Sequence, residues 1–222
     1  MEAEALTLTV DDATQVSALL MRPANARALY VFAHGAGAGM THKSMSEIAS
    51  DLADAGVATL RYQFPYMERK SGRPDSPKVA HAAVRAAVAE AGRTKLPLFA
   101  GGRSFGGRMT SQAQALAPLP GVRGLIFVGF PLHPAGKPAT DRADHLRDVA
   151  IPMLFLQGTR DELASLDLLK PVVADLGPRA ALQLYDDADH SFHVRAKSGR
   201  TDAQVRAALI ADMTAWMAAH SG

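Results

Sequence analysis

Short blocks of consecutive apolar residues alternate along this chain with longer stretches in which apolar positions recur every three to four residues. That is the pattern of strands interleaved with helices. Residues 6–10 alternate apolar side chains with threonine and predict an outer strand, and residues 16–21 predict its hairpin partner across the polar Asp11-Asp12 turn. Leu29-Tyr30-Val31-Phe32-Ala33 is apolar throughout, as a strand buried on both faces requires. Further strands are expected over 57–62, 96–100, 125–128, 153–156 and 181–185. Helices are expected over 44–55, stopped by Gly56, and over the alanine-rich stretch 78–91, closed by Gly92. The helical pattern also covers 105–116, 163–176 and 201–219, with Pro171 expected to break or kink the fourth of these helices. Residues 131–149 are proline-marked and predict an irregular segment. The expectation is an α/β fold: a mostly parallel twisted sheet of about seven to eight strands flanked by helices. No repeat or linker divides the chain, so one domain over 1–222 is expected.

Composition narrows the function classes. Lysine and arginine are scattered singly and the formal net charge is only +2, so no basic face for nucleic acid is expected. Cysteine is absent, which excludes disulfides, thiolate metal sites and a cysteine nucleophile. No apolar run approaches the roughly 18 residues of a membrane span. Met1-Glu2-Ala3-Glu4 is acidic where a secretory signal is basic, so the expected location is cytoplasmic, without membrane contact.

The chemistry gathers where strands end. Gly102-Arg103-Ser104-Phe105-Gly106 follows an apolar strand and precedes a helix. A serine projected from so sharp a turn leaves no room for side chains two residues to either side, hence the glycines. Serine needs an imidazole to take its proton, and the imidazole needs an acid to orient it. Asp161 ends the run after the strand at 153–156, and His190 lies between the last strand and the last helix. The order serine, acid, histidine and these strand-end positions make Ser104, Asp161 and His190 the candidate catalytic residues. Asp189 is the rival acid, but its place beside His190 in sequence directs it away from the ring, and a bracing role fits it better. The expected oxyanion donors are the backbone N–H groups of Phe105 and Ala36, the latter in His34-Gly35-Ala36-Gly37.

Two other chemistries compete for the glycine loop. Met40 stands where a dinucleotide fingerprint needs its third glycine, and His42 stands where a phosphate loop needs one before Lys43-Ser44. Neither pattern is completed, no histidine pair has metal-ligand spacing, and no metal or cofactor is expected. Arg103 and Arg108 flank the elbow. They admit two readings, recognition of an anionic substrate group or a salt bridge anchoring the elbow, and the second is preferred.

With these residues assembled, the sequence resembles dienelactone-hydrolase-like members of the α/β-hydrolase superfamily. More narrowly, it looks like the small lidless family related to the α/β-hydrolase-like domain of a subunit of the NSL histone-acetyltransferase complex. The matching stretches are His34 to Gly37, Gly102 to Arg108, Gly129-Phe130-Pro131-Leu132, Gln157-Gly158-Thr159-Arg160-Asp161 and Asp189-His190-Ser191-Phe192. The resemblance implies triad roles for Ser104, Asp161 and His190, with serine replacing the cysteine of true dienelactone hydrolases. The expected activity is hydrolysis of an ester or thioester of a small acyl substrate. The alternative is a non-catalytic interaction module that keeps the fold. Segment 131–149 is too short for an elaborate lid, so an open site is expected, lined by His34, Phe64, Tyr66, Phe105, Leu132 and His133. Oligomeric state is left open.

Overall fold

The computed structural model describes residues 1–222. Eight strands form one sheet: β1 (Glu4–Asp11), β2 (Thr14–Met21), β3 (Ala28–Ala33), β4 (Val57–Tyr62), β5 (Leu98–Arg103), β6 (Val122–Val128), β7 (Met153–Gly158) and β8 (Ala180–Tyr185). Their spatial order is β1-β2-β4-β3-β5-β6-β7-β8. β1 and β2 form an antiparallel hairpin, β2 runs antiparallel to β4, and every later pairing is parallel. The helices are α1 (Lys43–Asp54), the short α2 (Pro65–Glu68), α3 (Pro77–Gly92), α4 (Phe105–Leu116), α5 (Leu166–Asp175) and α6 (Asp202–Ala219). None is long and apolar enough to cross a membrane.

The central strands are apolar on both faces because each face carries its own helix layer. Alternate residues divide between two cores. Leu29, Val31 and Ala33 of β3 join Leu125 and Phe127 of β6 in a core shared with α3, α4 and α5. Tyr30 and Phe32 join Ile126 and Val128 in a second core under α1 and α6. Gly124 makes room for the α6 indole, since a Cβ there would lie 2.4 Å from a Trp216 ring carbon. Thr201 and Gln204 close a reciprocal capping box that starts α6.

Three local expectations change. β5 occupies Leu98–Arg103 rather than 96–100, so the strand passes through two glycines and delivers the chain to Ser104. Gly101 and Gly102 have little strand propensity of their own, but each pairs with both β3 and β6, and that pairing dictates their conformation. β6 likewise starts at Val122, three residues early. Pro171 sits inside α5 without ending it; the helix instead starts later than its pattern, at Leu166. Residues 131–149 are irregular except for a 3₁₀ helix, Asp141–Asp148, beside α4.

Candidate active site

The site lies at the carboxyl ends of the parallel strands, where loops from β3, β5, β6, β7 and β8 meet. Ser104 is the corner between β5 and α4, with φ 50° and ψ −118°. A non-glycine residue held there costs on the order of 1–3 kcal/mol, so the surroundings must impose it. They do so by close approach of the β3 loop. A Cβ on Gly102 would lie 2.5 Å from the Ala33 carbonyl oxygen, and one on Gly106 would lie 2.5 Å from that of His34. Gly35 passes the serine itself, its virtual Cβ 3.6 Å from Ser104 Cβ. The Ser104 N–H donates to the Val128 carbonyl at 3.2 Å, tying the corner to the end of β6.

Asp161 follows β7 and is buried. Three donors converge on its carboxylate. Oδ1 accepts from the Leu163 N–H at 2.8 Å, and Oδ2 faces His190 Nδ1 at 2.7 Å and also accepts from Gln157 Nε2. An ionised carboxylate only accepts, so His190 Nδ1 carries the hydrogen and Nε2 is left as the basic nitrogen. His190 Nε2 is buried and has no hydrogen-bond partner. The ring packs on Gly129, where a Cβ would lie 3.4 Å from Nδ1 and Cε1. Gly129 directly follows Val128, the residue that holds the Ser104 N–H, so serine and imidazole share the end of β6.

Gln157 escapes the sequence reading. It is fully buried at the end of β7, its Oε1 accepting from the Phe130 N–H at 2.9 Å while Nε2 donates to Asp161. An amide late in an otherwise apolar strand was the available signal. Gln157→Leu keeps the volume but leaves the Phe130 N–H and one Asp161 lone pair unmatched. A loss of about 2 kcal/mol is expected in urea unfolding, and a loss under a few tenths would show the bridge to be dispensable.

A cavity of about 400 Å³ opens beside Ser104, lined on one side by Ala36, Phe105 and Leu163 and on the other by Asp75, Arg108 and Arg142. Ala36, Ser104 and Phe105 thus line one cavity, and the Ala36 N–H donates to nothing in the protein. Phe105 opens α4, where the first N–H groups lack intrahelical acceptors.

The other expected lining residues are elsewhere. His34, Phe64, Tyr66, Leu132 and His133 are all buried, and none lines this cavity. His34 Nδ1 donates to the Gly35 carbonyl at 2.8 Å while Nε2 accepts from the Phe64 N–H at 3.0 Å. Both ring nitrogens are therefore used in joining the loops after β3 and β4, and burial depresses its pKa. His133 does the same between Pro134 and the Ser165 N–H at the start of α5. Phe64 and Tyr66 stack with each other and pack edge-on against Phe105, forming an aromatic floor. Asp189 accepts from the Ser191 and His193 N–H groups and braces the histidine loop. Arg103 donates to Ser44 Oγ at 2.6 Å, and neither it nor Arg108 forms the expected ion pair. No group of acidic, cysteine or histidine side chains is arranged to hold a metal ion.

A strand-to-helix serine corner on an eight-stranded, mostly parallel sheet, with acid and histidine on later strand-end loops, defines an α/β-hydrolase architecture. The chain belongs to the α/β-hydrolase domain family, whose model matches residues 26–218. Among solved structures it is similar to dienelactone hydrolase from Anabaena variabilis, with a TM-score of 0.76, 19% identity, and 100% and 99% of the two chains covered. An α/β serine hydrolase homologue from Coxiella burnetii matches with a TM-score of 0.75 and 22% identity over 96% and 98%. XC6422 from Xanthomonas campestris, described as an α/β serine hydrolase without lid, matches with a TM-score of 0.73 and 22% identity over 97% and 95%. At these identities the likeness is one of fold.

Proposed function

We propose that this protein is a serine hydrolase that cleaves esters or thioesters of small acyl groups through an acyl-enzyme on Ser104. The observation that carries the reading is His190, whose Nδ1 is locked on Asp161 while Nε2 is buried without a partner beside the strand end that holds Ser104. Ser104 Oγ gives its proton to Nε2 and attacks the carbonyl carbon. The tetrahedral oxygen takes the negative charge against the Ala36 and Phe105 N–H groups. Collapse expels the alcohol or thiol, which leaves with the proton from His190. Water then repeats the sequence on the acyl-enzyme, delivering the acid and restoring the serine. Two metal-free half-reactions suffice, and no cofactor enters.

Neighbouring structures described as esterases, including an esterase domain from a Rhodothermus marinus protein, support the reaction class by analogy. The narrower kinship with the NSL-subunit domain rests on the shared motifs and forms part of the same proposal. The cavity at Ser104 is open to solvent and of modest volume, which favours short acyl groups. Turnover of p-nitrophenyl acetate or butyrate is expected to exceed that of the palmitate by at least about tenfold in kcat/KM. A preference for the long chain contradicts the assignment of acyl size, and absence of turnover for every ester and thioester offered contradicts the reaction.

A further inference from the structure

The cavity beside Ser104 contains two guanidinium groups with no partner of their own. Arg108 stands on the first turn of α4, four residues after the serine, and Arg142 stands on the 3₁₀ helix facing it. Neither side chain donates a hydrogen bond within the protein, neither lies within 4 Å of a carboxylate, and Arg108 Nε is buried with nothing to bond. Like charges facing each other across a part-buried cavity are unfavourable unless something negative comes between them.

The carboxylates nearby do not fill that role. Asp75 lines the same cavity, but its oxygens are occupied by the Tyr66 N–H at 2.8 Å and Arg69 at 2.7 Å. Asp141 favours the Arg108 charge from a distance, while Arg142 and burial oppose it, burial most strongly. His145, on the same 3₁₀ helix, shares a hydrogen bond of 2.7 Å with Ser111. Its pKa is pushed down to about 4 by burial and by Arg108, so it adds no charge at neutral pH. Counting Arg69 against Asp75 and Asp141 against one arginine leaves about one positive charge unmet.

We propose that Arg108 and Arg142 form an anion subsite, so that the acyl compound cleaved at Ser104 carries a carboxylate held between the two guanidiniums. The proposal rests on the esterase reading for its reaction and on the unpaired arginines for its specificity. A planar guanidinium fork matches a carboxylate, and the charge left over suits a monoanion. The ester carbonyl sits at Ser104 while the carboxylate, a few bonds away, reaches α4 and the 3₁₀ helix. A short dicarboxylic half-ester or half-thioester has that shape. Ser111 is not part of the subsite; its hydroxyl donates to the Arg108 carbonyl at 3.0 Å and steadies the turn that carries the arginine.

The test compares p-nitrophenyl hemisuccinate with its methyl-capped counterpart, which differs only in the masked carboxylate. The native protein is expected to favour the charged ester by at least about tenfold in kcat/KM, and Arg142→Gln or Arg108→Gln to reduce that ratio by at least about tenfold. Arg142→Lys, which keeps the charge without the fork, is expected to fall between. A ratio at or below one, or a ratio indifferent to both substitutions, overturns the subsite while leaving the esterase reading intact. A second arm needs no turnover: calorimetric titration of the Ser104→Ala protein with monomethyl succinate. Binding that weakens when Arg142→Gln is added supports the subsite even if no ester is hydrolysed. Absence of binding, or equal binding of dimethyl succinate, overturns it.

Discussion

Replacing Ser104 by alanine is expected to lower kcat on short p-nitrophenyl esters by on the order of 10⁶-fold, with KM little changed. The size follows from what the residue does in the proposed mechanism. Without Oγ no covalent intermediate forms, and His190 Nε2 faces a carbonyl it cannot attack. What remains is positioning by the cavity and the N–H groups of Ala36 and Phe105, which alone account for roughly 10³–10⁴ over water. The substitution removes one oxygen and leaves the corner's φ of 50° as strained as before, so the fold should persist. Matched circular dichroism with lost turnover is the expected pair of results. Turnover within tenfold of the native protein contradicts the assignment.

Asp161→Asn is expected to cost about 10⁴-fold in kcat. The carboxylate sits among three donors, from His190, Gln157 and the Leu163 backbone. An asparagine keeps one acceptor oxygen and presents an NH₂ to at least one of those donors. Relief comes by turning the amide toward the imidazole, which places the hydrogen on Nε2 and removes the base. The imidazolium formed during proton transfer also loses its buried counter-charge. Asp161→Glu, one methylene longer, retains the charge but displaces it, and should fall between the native protein and the asparagine variant. A pre-steady-state burst distinguishes slowed acylation, which abolishes the burst, from slowed deacylation, which preserves it. An asparagine variant with more than a tenth of native kcat would place the acid elsewhere, with Asp189 the next to test.

The elements that could be read from the sequence are those whose own residues decide them. β3 and the first four residues of β7 are continuous apolar runs because both faces are covered, and such a run cannot be mistaken for a surface helix. The elbow was legible because the crowding that demands glycine is local, and the chain order of Ser104, Asp161 and His190 follows from the connectivity of the strands. Where partners decide, the pattern failed. Gly101 and Gly102 become strand because β3 and β6 hold them, and Val122 and Gly124 are drawn into β6 by pairing with Leu98 and Phe99 of β5. The lining residues failed for a different cause. His34, Phe64, Tyr66, Leu132 and His133 were placed correctly along the chain near strand ends, but which way a loop side chain turns is set by tertiary contacts. Each turned inward to satisfy a backbone N–H or to pack. Arg142 lay in a segment without pattern, and its meeting with Arg108 exists only once the 3₁₀ helix docks against α4.

These outcomes share a logic. The strand ends supply rigid positions, the glycines at 102, 106 and 129 let the strand-end loops approach within contact distance, and in the proposed mechanism the chemistry falls on the residues left facing the gap. The buried network from Phe130 through Gln157 to Asp161 and His190 leaves one nitrogen of the imidazole without a partner, and the proposed mechanism uses it as the base. In the proposed mechanism Ser104 is the nucleophile this arrangement activates. A fluorophosphonate probe tests it most directly, because phosphonylation requires an activated hydroxyl and no knowledge of the substrate. Stoichiometric labelling of the folded native protein is expected, with the adduct mapped by peptide mass spectrometry to Ser104 and absent in His190→Ala. Folded protein that takes up no label, or that is labelled at another residue, would contradict it.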